Sequence, residues 1–236
     1  MTPPALRFEA VGYRYPDGHE ALAGLTFALR AGERTAVVGA NGAGKSTLLL
    51  HTDGLLLPTA GRVFVADIPV IKPNLPAIRQ RVGYLFQQPD DQLFLPTVRD
   101  DVAFGPANMG LGAAEIERRV DEALAAVGAA ELADRMPARL SVGQKKRVAI
   151  ATLLAMRPSL LVMDEPTASL DPRARRQLLE LLAALPHTAL IATHDPGLVR
   201  TLCTRVLVLH RGRLLADGAP ARILGDRALL REAELL

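Results

Sequence analysis

Nine consecutive residues, Gly39-Ala40-Asn41-Gly42-Ala43-Gly44-Lys45-Ser46-Thr47, carry the densest chemistry in the chain and fit G-x-x-x-x-G-K-[ST]. Glycines at this spacing let successive backbone N–H groups curl around an anion, because a Cβ would block the turn. Lys45 adds a point charge for the outer phosphates, and the Ser46 hydroxyl is a hard oxygen suited to Mg²⁺. Residues 35–38 read as a short strand before the loop, and Thr47 onward as a helix whose start supplies further free N–H donors. Strand, glycine loop and helix in that order predict a nucleoside triphosphate site.

A second group stands at the end of the apolar run Leu160-Leu161-Val162-Met163. Asp164 there can hold Mg²⁺ alongside Ser46, and Glu165 is placed to polarise a water for attack on the γ-phosphorus. Apolar strands often end in solvated acids; a preceding glycine loop of this type makes the pair a catalytic candidate. His194 follows another strand-like run, Leu190-Ile191-Ala192-Thr193, and could contact the γ-phosphate or orient the water. Ligands in open α/β sheets bind beyond the carboxyl ends of strands, where Lys45, Asp164 and His194 all fall. His19, His51, His187 and His210 have no such placement and read as surface or packing residues.

These groups need a scaffold, and 236 residues with 49% hydrophobic content can supply one large α/β domain. Strands are predicted near 6–8, 26–29, 62–65 and 82–86, the first two joined by the turn Tyr15-Pro16-Asp17-Gly18. Helices are predicted over 113–127 and 142–156, the latter capped by Ser141 and stopped by Pro158. Strand–helix alternation after residue 158 predicts a parallel sheet covered on both faces, with a hairpin near 206–215. The helical stretch 89–157 then reads as an insert in a single domain whose core is 1–88 and 158–236.

The net charge is +3, and basic residues are interleaved with acidic ones, without basic blocks or exposed aromatic arrays; no nucleic-acid partner is expected. A single cysteine, Cys203, rules out an internal disulfide and reads as apolar filler in a reducing compartment. The start Met1-Thr2-Pro3-Pro4 lacks a signal pattern, and no apolar run is long enough to span a bilayer.

The segment Leu140-Ser141-Val142-Gly143-Gln144 resembles the LSGGQ signature of the ABC ATPases, and the resemblance extends over nearly the whole chain. It implies a P-loop NTPase (RecA-like) α/β core, an N-terminal antiparallel β subdomain and an inserted helical signature subdomain. It also implies that Tyr15 stacks on adenine, that Gly39–Thr47 bind phosphates and that Gln87 joins Ser46 and Asp164 at Mg²⁺. Ser141, Gly143, Gln144 and Asp171 would reach the ATP held by a second, identical subunit in a head-to-tail dimer. Val142 departs from the family's usual glycine; the phosphate contacts expected of Ser141 and Gly143 remain available. An independent length argument points the same way: helix 142–156 runs roughly 22 Å and the next strand returns only about 13 Å, leaving Ser141 far from its own loop.

Gln87-Gln88-Pro89-Asp90-Asp91-Gln92-Leu93-Phe94 and the run 97–106 resemble the energy-coupling-factor importers, closest to the cobalt/nickel-uptake ATPases, with vitamin importers sharing most of the motifs. The resemblance implies that Gln87, Pro89, Asp90 and Gln92 face an integral membrane coupling subunit. A substrate-binding membrane subunit would complete an assembly on the cytoplasmic face of the membrane. Rival readings are an ABC ATPase acting on DNA or ribosomes, which should show a long coiled coil or tandem cassette, and a P-loop kinase or GTP switch, which would lack LSVGQ. The leucines at 229, 230, 235 and 236 are open to either packing or a dimer contact.

Overall fold

The computed structural model describes residues 3–236; Met1 and Thr2, within the start read above as signal-free, lie outside the described residues. The chain opens with β1 (Leu6–Arg14) and β2 (Glu20–Leu29), an antiparallel pair around the Tyr15–Gly18 turn. After β3 (Arg34–Val38) and α1 (Lys45–Leu50), the strands β4 (Ala60–Val65) and β5 (Ile68–Pro69) return to that pair. Together they form an antiparallel sheet in the order β2-β1-β4-β5.

The next elements are α2 (Leu75–Arg81), β6 (Val82–Leu85), α3 (Val98–Asn108), α4 (Ala113–Ala126) and α5 (Val142–Met156). Then follow β7 (Leu160–Asp164), α6 (Pro172–Ala184), β8 (Thr188–Ala192) and α7 (Pro196–Leu202). The chain closes with β9 (Arg205–His210), β10 (Arg213–Gly218), α8 (Pro220–Gly225) and α9 (Arg227–Glu232). The second sheet has the order β10-β9-β3-β8-β7-β6, parallel throughout except for the β9–β10 hairpin at its edge. β6 and β7 are neighbours in that sheet, yet 74 residues separate them in the chain (85 to 160), and the regular structure in that interval is entirely helical.

Alternating side chains divide the core in two. Ala36, Val38, Leu161 and Met163 face α5, α6 and α7, whereas Val37, Leu160 and Val162 face the opposite side. That opposite face is where the alternation rule fell short of the architecture. It is covered by the antiparallel sheet, through Leu6, Phe8, Leu25 and Val63, together with α1 and α2. Period-2 strands with one apolar face can roof a sheet as well as helices can.

Helix α5 has the bounds its sequence predicts, because its ends are chemically marked. Ser141 accepts from the Gln144 N–H, and the Gln144 side chain accepts from the Ser141 N–H, a reciprocal cap. Pro158 follows a left-handed Arg157 at the other end. Three of the four leucines left open at the C-terminus resolve into packing: Leu230 is buried, and Leu229 and Leu235 rest on the main core, whereas Leu236 is 66% exposed.

Immediately beyond α1, Asp53 is buried, accepts only the Leu55 N–H, and feels Arg79 at longer range. Burial pushes its carboxyl up to about 6. A folded value above the unfolded one means stability is fully present below pH 4 and is lost as pH rises through about 6. Asp53→Asn keeps the acceptor and removes the charge. It should stabilise the protein by about 2–3 kcal/mol at pH 7.5, with no advantage near pH 4. Denaturant titrations of both proteins at the two pH values check this.

Candidate functional site

The parallel register fixes the site. β3 lies between β8 and β9, and β8 also pairs with β7, so the loops after β3, β7 and β8 leave one edge side by side. Lys45, Asp164, Glu165 and His194 therefore converge, although as many as 149 residues separate them in the chain. They line a cavity of about 750 Å³ shared with Tyr15, Asn41, Gly42, Gly44, Ser46, Thr47 and Gln87.

The loop after β3 must be glycine at its tightest point. Gly44 has φ +102°, and a Cβ there would sit 2.6 Å from the Ala21 carbonyl oxygen. Ala43 is buried against the core, and Gly39 packs directly on the β9 backbone. Lys45 opens α1 with its ammonium folded back, donating to the carbonyls of Gly39 (2.8 Å) and Ala40 (3.1 Å). Burial lowers its affinity for a proton, while Glu165 and Asp164 pull the other way. Tyr15 reaches over the helix start, its hydroxyl 3.0 Å from Thr47 Oγ1.

Lys45 Nζ lies 3.2 Å from His194 Nε2. An ammonium only donates, so Nε2 is the acceptor in that contact. This accounts for Glu165 on the other side. Its Oε2 accepts the His194 backbone N–H at 3.2 Å, but its buried Oε1, 3.3 Å from Nε2, has no hydrogen-bond partner. Glu165 thus brings to the cavity it lines a carboxylate whose hydrogen bonding the protein leaves incomplete, the type of group that can take a proton from water. Glu165 also holds φ +45°, a left-handed conformation costly for a residue with a Cβ, pinned by its N–H to the Ala192 carbonyl at 2.9 Å.

Asp164 is buried at the end of β7, and its carboxylate has no protein partner among the described residues. With Ser46 and the Gln87 side chain on the same cavity, it offers hard oxygens that fit Mg²⁺. No group of three or more His, Cys, Asp or Glu is gathered for a metal among the described residues, so most ligands would come from phosphate and water.

The signature residues lie elsewhere. Ser141, Gly143, Gln144 and Asp171 line a separate hollow of about 450 Å³ that shares no residue with the first. Asp171 caps α6 through the N–H groups of Arg173 and Ala174, and Val142 is 43% exposed at the rim.

The 87–94 segment forms a short 3₁₀ turn over Pro89–Asp91, tied to α5. Lys145 Nζ lies 2.6 Å from Asp90, and the buried Lys146 donates to the Gln87 carbonyl at 2.6 Å. Desolvation lowers Lys146 to about 8, although Asp164 and Glu165 favour its charge. Gln92 departs from the outward-facing role expected of it: its side chain turns inward to Ala149 O (2.9 Å) and Thr152 Oγ1 (2.7 Å), because α5 offers it both partners. Pro89 is buried as well. Asp90, Phe94 and Phe104 are among the exposed residues here, the two rings meeting edge to face at 5.2 Å.

His19 is exposed, as a surface residue should be, and it also lines the cavity, its ring nearly parallel to Tyr15 at 6.3 Å. Its four-residue offset from Tyr15 across a turn was the available signal. Arg175 and Asp195 also border the cavity, and neither belongs to a motif that singled it out.

Comparison with known proteins agrees with this geometry. Residues 22–168 match the family model described as ABC transporter. A Geobacter sulfurreducens protein described as an ABC transporter ATP-binding protein is 57% identical, over 94% of this chain and 89% of the relative. An energy-coupling factor transporter ATP-binding protein of Methanothermobacter thermautotrophicus is 48% identical over 95% of this chain and 74% of its own length. Among solved structures, cbiO1 from Clostridium perfringens, part of the ABC transporter complex cbiONQ, superposes with a TM-score of 0.85 at 40% identity, covering 98% of this chain and 95% of that one. A dimeric ATP-binding cassette in a post-hydrolysis state with ADP and Pi gives 0.82 at 28% identity, covering 91% and 98%.

Proposed function

The chain belongs to the ABC transporter family of ATP-binding proteins, and from that membership we propose that it is the ATPase of an energy-coupling-factor importer that drives cobalt or nickel ions through a separate membrane chain. The ion follows from the resemblance of residues 87–94 and 97–106 to cobalt/nickel-uptake ATPases; a vitamin is the alternative cargo. No described helix is long and apolar enough to cross a membrane, so the path for the solute belongs to a partner. In this reading the protein sits peripherally on the cytoplasmic face, as a dimer of identical subunits.

Mg²⁺ held by Ser46, Asp164 and Gln87 would offset phosphate charge. Lys45 binds the outer phosphates, Glu165 takes a proton from the attacking water, and His194, set between Lys45 and Glu165, contacts the γ-phosphate. Ser141 and Gly143 of the second subunit close the site, and their contribution is largest once charge moves toward the leaving oxygen.

The observation that carries the transport reading is the clasp of α5 on the 86–92 segment. Lys145, Lys146 and Gln92 join the helix that bears Ser141 to the turn beside the exposed Phe94–Phe104 pair. A partner pressing on that apolar pair would move Ser141 toward or away from the opposing ATP. Asp90→Lys with Phe94→Ser should abolish capture of the membrane chains from detergent-solubilised membranes while ATP binding by the purified protein stays within about twofold. Unchanged capture would remove this face as the docking site. Uptake of labelled cobalt, nickel or vitamin by cells carrying the intact complex decides the cargo.

A further inference from the structure

Arg175 extends from α6 to Asp195, the residue after His194, and grips it with a two-pronged ion pair. Nε lies 2.6 Å from Oδ2, and Nη2 lies 2.7 Å from Oδ1. Parallel N–H···O bonds of this kind fix orientation as well as distance. Asp195 is held at other points too. Its Oδ1 accepts from the N–H groups of Gly197 and Leu198 to cap α7, its Oδ2 accepts from Thr167 Oγ1 at 3.2 Å, and its own N–H reaches Thr193 Oγ1. Burial opposes the Asp195 charge, but Arg175 and the capping N–H groups hold the carboxyl below its ordinary value. Room for the guanidinium exists only because residue 197 has no side chain: a Cβ there would come within 2.6 Å of Nη2.

His194 itself has no comparable anchor. Its side chain is 44% exposed, and its ring is placed only by Lys45 and Glu165, both of which must rearrange their contacts when phosphate enters. The backbone of residues 193–195 is therefore what keeps the imidazole in position during turnover. Arg175 stands one helical turn from Asp171, its N–H donating to the Asp171 carbonyl at 2.9 Å. One short helix segment thus connects the signature hollow to the loop of His194.

We propose that Arg175 is a positioning residue for ATP hydrolysis, its fork onto Asp195 holding the His194 loop in register with Glu165 and tying that register to Asp171 on the same helix. The proposal rests on the roles given above to His194 and Glu165, neither of which Arg175 touches.

Steady-state kinetics of the purified protein test it. Arg175→Met, which keeps length and removes the fork, should lower kcat roughly 10-fold with KM for ATP within about twofold, because a misplaced loop affects the reacting geometry more than nucleotide binding. Arg175→Lys should restore only part of the loss, since one ammonium cannot make both bonds. Asp195→Asn retains a good α7 cap and should lower kcat to a similar extent. The Arg175→Met/Asp195→Asn double variant should then be no slower than either single change, as expected of two residues acting as one unit. Losses that multiply in the double variant, a change confined to KM, or a fall in Tm with kcat intact would each overturn the proposal. Glu165→Gln and His194→Ala serve as controls. If they lose turnover and Arg175→Met does not, only the positioning role fails; if they retain turnover, the assignment of the site itself is wrong.

Discussion

Glu165→Gln should leave ATP bound and cut turnover by about 100-fold or more. The substitution is close to a pure test of basicity. Glutamine keeps the side-chain length, and its carbonyl oxygen can still accept the His194 backbone N–H that Oε2 accepts at 3.2 Å. The left-handed backbone at residue 165 is held by the Ala192 carbonyl, which the change does not touch. What disappears is the proton-accepting power of the carboxylate beside His194. Phosphate release and retention of labelled ATP, measured on the same preparation, separate chemistry from binding. Near-normal phosphate release would assign the base to another residue.

Crossed inactivation is the second large effect. Lys45→Met removes the buried ammonium from one cavity, and Ser141→Arg blocks the other hollow, which shares no lining residue with it. Each variant alone should fall below about 1% of parental activity, since transition-state donors of this type are each worth about 10²–10³. Mixed in equal amounts, they should recover up to about a quarter of it. Half of randomly assorted twofold dimers are mixed, and one of the two composite sites in each mixed dimer is intact. No recovery above the two separate values, at concentrations where the parent is dimeric, would mean that the two half-sites do not cooperate across a subunit boundary.

Much of the site was readable because its parts are marked by local chemistry. The loop at 39–47 needs glycine for a positive φ and a lysine at the helix start, and both requirements leave a trace in consecutive residues. Ser141 and Gln144 announce a helix start by capping each other, which is why α5 begins where its sequence predicts. Asp164, Glu165 and His194 could be placed because each directly follows an apolar run that must end at the same sheet edge.

Residues whose roles depend on what the fold brings beside them left no such trace. Gln92 reads, from the resemblance, as a residue facing a membrane subunit, and only the packing of α5 presents Ala149 O and Thr152 Oγ1 to its side chain. Lys146 looks like one more basic residue on a helix; its burial against the Gln87 carbonyl arises from packing between segments about 60 residues apart. The same holds for His19 beside Tyr15, and for Arg175, whose partner lies 20 residues onward in a different loop.

The amino-acid order alone determined the glycine loop, the acidic pair at a strand end and the capped helix at Ser141, because backbone conformation and capping act over a few residues. Tertiary structure decided that an antiparallel sheet roofs one face, that α5 clasps the 89–91 turn, and that Arg175 pairs with Asp195 in the loop of His194. Those outcomes come from packing and from charges meeting across space, between segments that no local motif joins.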